Sequence, residues 1–223
     1  MIAIRSGKKR ALSCAVMIIF VLLSVWALLP DRGSDPDEGF SSSELIKEET
    51  ESGGVTVITY YDASGKPTVA VDKGYAILKK TKNALGKTEK ELYFDGDGNA
   101  KKRAGGYCAT AYSYSGNETL ITYLDEDGKV TATTSGYAAI KRIADGEGRT
   151  VNDFYLDEDL EPTECTGGYY GIYNEYGADK KISSVTYLGA SGEIVLTRSG
   201  YAKKTYLRGD DGNVKREYYF GLS

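Results

Sequence analysis

The chain contains no histidine, only three cysteines and a single tryptophan among its 223 residues. Histidine is the commonest general base in enzymes and a frequent zinc ligand, so its absence removes the usual catalytic and zinc-binding sets. The sequence also has no Gly-x-Ser-x-Gly elbow and no glycine-rich phosphate loop followed by lysine. We therefore expect no enzymatic activity, no cofactor and no bound metal.

The three cysteines give little direction. Cys108 and Cys165 are compatible with a disulfide in an oxidising exterior or with two separate thiols packed as small apolar side chains. Because they occupy different positions of the sequence repeat described below, we favour separate thiols.

The first 30 residues have the composition of a membrane anchor. Residues 1–10 carry four basic side chains and no acid, and residues 11–29 form an uninterrupted apolar run of 19. About 20 apolar residues span a bilayer as a helix, and a basic flank stays in the cytoplasm. The sequence predicts a cytoplasmic basic tail at 1–10 and a transmembrane signal anchor at 11–30, with the remainder extracellular. A cleaved signal peptide is the alternative.

An acidic segment follows the apolar run. Residues 31–54 contain eight acidic and two basic side chains and few aromatic ones. Such a composition cannot bury enough apolar surface to fold, so we expect an acidic flexible tether. A short helix from Ser43 to Glu51 is the alternative.

The remainder of the chain is repetitive. The dipeptide Gly-Tyr recurs with spacings of 32, 30, 32 and 32 residues, beginning at Gly74-Tyr75 and ending at Gly200-Tyr201. A second mark, Tyr followed by an apolar residue and Asp or Gly, recurs in phase with it. A fixed period of this length is typical of repeat architectures, in which stacked units share one core. We predict about five units of about 32 residues in a repeat ectodomain spanning 55–223.

Two glycine positions frame the second mark. Glycine lies five residues after its Tyr, except at Leu160, and seven residues before it, except at Lys180. Between these turn signals the residues alternate and favour β-branched and aromatic types, as in strands joined by tight turns. The prediction is an all-β fold of repeated β-hairpins forming a solenoid or rolled sheet, preceded by one transmembrane helix. A compact sandwich is the alternative.

All 19 tyrosines lie between Tyr60 and Tyr219. Those at equivalent repeat positions should form ladders, either in the core or exposed on one face. These repeat-core or ladder candidates are Tyr75, Tyr107, Tyr137, Tyr169, Tyr201, Tyr93, Tyr123, Tyr155, Tyr187 and Tyr219. The tyrosines outside the repeat pattern are the better candidates for ligand binding, and they are Tyr112, Tyr114, Tyr170, Tyr173 and Tyr176.

The recurring Tyr-x-Asp-x-x-Gly with a Gly-Tyr half-unit between copies resembles the tyrosine-aspartate (RHS-like) repeats of bacterial surface proteins. The alternating Gly-aromatic hairpins are also similar, more weakly, to cell-wall-binding repeats of the choline-binding type. The resemblance covers residues 55–223 and implies β-hairpin arrays exposed outside a bacterial cell.

Two functions remain open for such a module. One is binding of cell-wall or other surface glycan through exposed tyrosines. The other is a structural or protein-interaction role, in which the repeats present their faces or last edge strand to a surface protein. The repeat region is nearly balanced in charge, with 22 basic and 24 acidic side chains. Nucleic-acid binding would require a basic face, so we expect no nucleic-acid partner.

Overall fold

The computed structural model describes residues 39–222. They form one antiparallel sheet of twelve strands, and the strands lie in the sheet in the order in which they follow each other along the chain. The strands are β1 (Ile46–Ser52), β2 (Val55–Tyr61), β3 (Ile77–Lys82), β4 (Thr88–Phe94), β5 (Ala109–Ser115), β6 (Glu118–Leu124), β7 (Ala139–Ala144), β8 (Thr150–Leu156), β9 (Gly171–Tyr176), β10 (Ile182–Leu188), β11 (Lys203–Arg208) and β12 (Val214–Phe220).

The all-β fold built of repeated hairpins is confirmed. Within residues 39–222 each strand pairs antiparallel with its neighbours in sequence, and the sheet stays open, with β1 and β12 as its edges. The hairpins therefore form a meander rather than the coils of a solenoid, and the described strands make no second sheet for a sandwich. Short turns reverse the chain after every first strand, which enforces antiparallel pairing.

The sheet begins within the segment for which a tether was expected. Strand β1 pairs along its full length with β2, from Ile46 opposite Tyr61 to Ser52 opposite Val55. The acidic residues of β1 point into solvent on an exposed strand, which satisfies their hydration without preventing strand formation. Leu45 is buried against Tyr60, so the residues before β1 cover the first unit. The alternative of a short helix from Ser43 to Glu51 is wrong, since this segment is a turn followed by β1. The described structure contains six hairpins.

The predicted basic tail and transmembrane anchor lie outside the described residues. Among residues 39–222 no helix is long and apolar enough to cross a membrane.

Hairpin loops of two lengths explain the irregular repeat spacing. Two residues, Gly116 and Asn117, join β5 to β6, whereas five residues join each of the pairs β3–β4, β7–β8, β9–β10 and β11–β12. The strand preceding each five-residue loop is one residue shorter than β5. The unit that contains Gly116 is consequently two residues shorter, which gives the single spacing of 30.

The acidic turns are built on side-chain hydrogen bonds to the backbone. Asp125 Oδ1 accepts the N–H groups of Asp127 at 3.0 Å and Lys129 at 2.8 Å. Asp62, Asn83, Asp95, Asp145 and Asp157 bond the backbone two and four residues ahead in the same way. These side chains hold the turn conformation, which is the usual role of Asp and Asn at such positions.

The longer connections between hairpins each contain a second turn, and four of these turns stack along the repeat. Backbone hydrogen bonds of 2.8 to 2.9 Å join Thr134 to Gly105, Thr166 to Ser135 and Arg198 to Gly167. The rings of Tyr107 and Tyr169 lie against Gly105 and Gly167, where a Cβ would collide with them. The stacked turns thus form a row against which the tyrosines pack.

Candidate functional site

Eleven tyrosines form one continuous row. The two predicted sets alternate within it, since each Gly-Tyr tyrosine lies between the strand tyrosines of successive hairpins. Neighbouring ring centroids are 4.5 to 6.1 Å apart. The row is Tyr60, Tyr75, Tyr93, Tyr107, Tyr123, Tyr137, Tyr155, Tyr169, Tyr187, Tyr201 and Tyr219. We call it the tyrosine ladder, and the sheet side that carries it the ladder face.

Four rings of the tyrosine ladder are buried, six are partly buried, and only the last is exposed. Tyr93 is 4% exposed and Tyr155 8%, whereas Tyr219 at the end of the row is 52% exposed. Desolvation is the main cause that raises the pKa of Tyr75 to about 12 and that of Tyr169 to about 12. Neutral, buried rings at this density form the core of the repeat and offer little surface to a ligand.

Arg103 also packs against the tyrosine ladder, a contact that the sequence repeat did not predict. Its guanidinium lies 4.6 Å from the ring centroid of Tyr93 and within 5.8 Å of the rings of Tyr75 and Tyr107. It also donates a hydrogen bond of 3.0 Å to the carbonyl of Lys73. This hydrogen bond joins the turn at Lys73 to the next turn along the row, at Arg103. The later turns of the row are joined by backbone hydrogen bonds instead.

Three of the five ligand-binding candidates lie on the ladder face and use their hydroxyls within the protein. Tyr114 donates to the carbonyl of Thr88 at 2.6 Å, and Tyr176 donates to the carbonyl of Thr150 at 2.7 Å. Tyr112 donates to a carboxylate oxygen of Glu91 at 3.2 Å, and burial is the main cause that raises its pKa. These tyrosines tie one hairpin to the preceding one.

Cations cover two of these rings. Lys87 Nζ lies 4.7 Å from the centroid of Tyr114, and the guanidinium of Arg149 lies 4.8 Å from that of Tyr176. Cation–π contacts of this kind stabilise the hairpin ends and further reduce the ring surface available to a partner.

The other two candidates, Tyr170 and Tyr173, line adjoining clefts on the sheet side away from the ladder. Tyr170 shares a cleft of about 260 Å³ with Phe154, Lys141 and Pro162. Tyr173, 41% exposed, shares a cleft of about 420 Å³ with the same Phe154. Phe154 and Gly192 line both clefts, so the two adjoin, and we call them together the groove.

Departures from the repeat pattern build the groove. At the position of Tyr170 the other units have Ala76, Cys108, Ala138 and Ala202, all of them buried. The next residue, Gly171, allows Phe154 to approach the backbone, since a Cβ there would lie 2.9 Å from Cδ1 of Phe154 and 2.6 Å from the carbonyl oxygen of Asp153. Phe154 was missed in the sequence because aromatic residues are common in strands.

Polar side chains border the groove beside Tyr173. Lys203 Nζ lies 2.7 Å from Oε2 of Glu175, and the hydrogen bond from Lys203 is the main cause that lowers the pKa of that carboxyl. Ser184 donates to the same carboxylate. Asn152 lines the same cleft and lies opposite Tyr173 on the neighbouring strand. Aromatic rings next to a charged pair and an amide can both stack and hydrogen-bond, which suits a polar ligand with apolar faces.

A third cleft extends the groove toward β12. Thr186, Ile194 and Lys203 line both this cleft of about 750 Å³ and the cleft of Tyr173. The three clefts together follow the sheet from β7 to β12, so an extended ligand could contact several hairpins.

The two described cysteines are separate buried thiols. Cys165 packs in the tyrosine ladder with Tyr155, and Cys108 borders the turn of Asp125 to Asp127. Within residues 39–222 no cluster of three or more histidine, cysteine or acidic side chains is placed to hold a metal ion.

Comparison with protein-family models gave no match, and comparison with curated proteins gave no significant match.

Proposed function

We propose that this chain is a membrane-anchored, extracellular, non-enzymatic repeat module that binds cell-wall or other envelope carbohydrate in the groove. The observation that carries the proposal is the position of Phe154 in the groove, between the cleft of Tyr170 and the cleft of Tyr173. The apolar run at 11–29 and its basic flank support an anchor with the repeats outside the cell.

The chemistry of the groove favours a saccharide. Sugar rings present apolar C–H faces that pack on aromatic rings, and hydroxyls that bond carboxylates, ammonium groups and amides. The groove supplies both kinds of contact, with Phe154 and Tyr173 beside the Glu175–Lys203 pair and Asn152. Its length over several strands fits a polymer better than a single small molecule.

The alternative is a structural or protein-interaction module at the cell surface. The exposed edge strand β12 favours it, because an unpaired strand with exposed Tyr218 and Phe220 can add a strand from another protein.

A pull-down on purified insoluble cell wall tests the carbohydrate proposal. The fragment should span residues 37–223, since β1 and Leu45 belong to the folded unit. The test variant combines Phe154→Thr, Tyr170→Ala and Tyr173→Thr, each of which installs a residue found at that position in another unit, such as Thr122, Ala138 and Thr205. These changes should preserve the fold.

We expect the parent to sediment with the wall and the variant to remain in the supernatant. Tyr176→Ala is the matched control on the ladder face and should still bind. A parent that fails to bind wall material, or a triple variant that binds as the parent does, contradicts the proposal and directs the search to protein partners.

A further inference from the structure

The sheet described by residues 39–222 has two unpaired edges. All seven residues of β1 and all seven of β12 are exposed. β12 presents exposed Tyr218, Tyr219 and Phe220, whereas β1 presents one lysine and three glutamates. Unpaired edges are templates for a further strand, and proteins usually shield long apolar ones. The aromatic edge of β12 is therefore a candidate docking surface.

Neighbouring hairpins of this protein pair in one fixed register. The residue before each strand tyrosine lies opposite the first residue of the next hairpin at all five junctions. These pairs are Thr59–Ile77, Leu92–Ala109, Thr122–Ala139, Phe154–Gly171 and Thr186–Lys203. In β12 the corresponding residue is Tyr218, which precedes Tyr219.

The first strand of a hairpin that follows β12 in this register can be supplied by another copy. Ile46 of β1 corresponds to Ile77 and Lys203, because each lies opposite the residue after the strand tyrosine of its own hairpin. We propose that β12 of one copy pairs antiparallel with β1 of a second copy, so that the sheet continues from chain to chain.

Charge complementarity supports this occupant. The register places Tyr218 opposite Ile46 of the second copy, and the next three pairs join opposite charges. These pairs are Glu217 with Lys47, Arg216 with Glu48, and Lys215 with Glu49. Opposite charges facing each other across strands stabilise pairing and like charges oppose it. Two β1 strands would bring together acidic edges and two β12 strands basic ones, so a head-to-tail contact is favoured.

The same register covers the open end of the tyrosine ladder. It places Leu45 of the second copy opposite Tyr219, the half-exposed last ring. A head-to-tail contact joins different surfaces and has no built-in closure, so it generates linear arrays of copies. An array would also multiply any binding site that each copy carries.

Disulfide trapping in the full-length chain in detergent tests the register. All variants carry Cys14→Ser, and the two buried native thiols are kept. Glu48→Cys and Arg216→Cys chains are mixed and oxidised. Because facing residues have Cβ atoms about 4.5 to 5.5 Å apart, we expect a disulfide-linked pair of chains. The mixture of Glu51→Cys with Arg216→Cys, three residues out of register, is the control.

Charge reversal provides the second measurement. By analytical ultracentrifugation, Arg216→Glu should weaken self-association about tenfold, because it faces Glu48 with a like charge. Adding Glu48→Arg in the same chain should restore association. Equal cross-linking in the control mixture, a parent that stays monomeric at its highest soluble concentration, or an Arg216→Glu variant that associates as the parent does would overturn the proposal.

Discussion

Tyr155 stacks on Tyr137 with ring centroids 4.5 Å apart and planes inclined by only 13°. Tyr155 comes from strand β8 and Tyr137 from the connection before β7, so the contact joins the sheet to the row of stacked turns. Ten such contacts run through the six hairpins. Because each unit buries its tyrosines against the next, stability should be distributed along the array, as in other repeat proteins.

Removing a ring from the middle of the tyrosine ladder should be costly. We expect Tyr155→Ala to lower the free energy of unfolding by about 3 to 5 kcal/mol, the usual range for a buried aromatic side chain. Tyr155→Phe keeps the ring and should cost about 1 kcal/mol. Tyr219→Ala, at the exposed end, should also cost about 1 kcal/mol. Urea unfolding followed by circular dichroism measures all three, and equal losses at Tyr155 and Tyr219 would contradict a buried ladder.

The protein should lose stability in alkali. Burial raises the pKa of Tyr75 to about 12 and that of Tyr169 to about 12, above the value near 10 of an unfolded chain. A raised folded-state pKa means that the folded protein holds the proton more tightly. The corresponding stability is complete below about pH 10 and is lost as the pH rises toward 12.

Absorbance of tyrosinate near 295 nm gives the measurement for this effect. We expect the ladder tyrosines to ionise together with unfolding, in one cooperative step above pH 10. A smooth titration centred near pH 10 in a chain that stays folded would show that these rings are accessible to water.

In two turns a residue other than glycine has a strained backbone conformation, and substitution by glycine would relieve that strain. Leu160 and Lys180 have φ of 65° and 61°, at positions where the other units have glycine. The left-handed region costs a residue with a Cβ about 1 to 2 kcal/mol, and glycine loses about 0.5 to 1 kcal/mol of backbone entropy on folding. Lys180→Gly should therefore stabilise the protein by about 0.5 to 1 kcal/mol. Its ion pair with Glu147 is exposed and contributes little.

Replacing a turn glycine of positive φ by alanine tests the same backbone strain. Gly128 has φ of 79° and open space around it, so Gly128→Ala should lose about 1 kcal/mol through backbone strain alone. Gly146 also has open space but a φ outside the left-handed region, so Gly146→Ala is the matched control. Thermal melts that fail to separate the two alanine variants would argue against the turn conformation.

Gly171 should tolerate no side chain. An added Cβ would lie 2.6 Å from the backbone oxygen of Asp153, an atom that cannot move without shifting β8. Gly171→Ala should lower the free energy of unfolding by about 1 to 3 kcal/mol, the usual cost of overpacking. Chemical denaturation provides the value. A neutral effect would mean that Phe154 and β9 are not as close as the structure has them.

The sequence predicted the hairpins well because each turn repeats the same chemistry. Leu160 and Lys180 replace the usual glycine, yet both lie in turns with the same positive φ. The flanking repeat pattern is intact at both positions. β1 was missed because four of its seven residues are charged and all seven are exposed, and only pairing with β2 makes them a strand. Local composition does not contain that tertiary contact.

The candidate site was harder to predict for a different reason. Departure from the repeat marked Tyr170 and Tyr173, which line the groove, but equally Tyr114 and Tyr176, whose hydroxyls bond the preceding hairpin. Which face a strand residue occupies depends on its register with its neighbours, and register follows from loop length and bulges. Nothing in the sequence pattern distinguished Phe154 from an ordinary strand residue.

Tyrosine nitration mapped by mass spectrometry, with and without soluble cell-wall saccharide, tests the separation of core and groove most directly. Without saccharide we expect Tyr173 to react readily and the buried Tyr93 and Tyr155 to be protected. Saturating saccharide should protect Tyr170 and Tyr173 and leave Tyr61, on β2 and outside the three clefts, unchanged. Unchanged nitration of Tyr173 at saturation, or fast reaction of Tyr93 and Tyr155, would contradict the assignment of the groove as the binding site and of the ladder as the core.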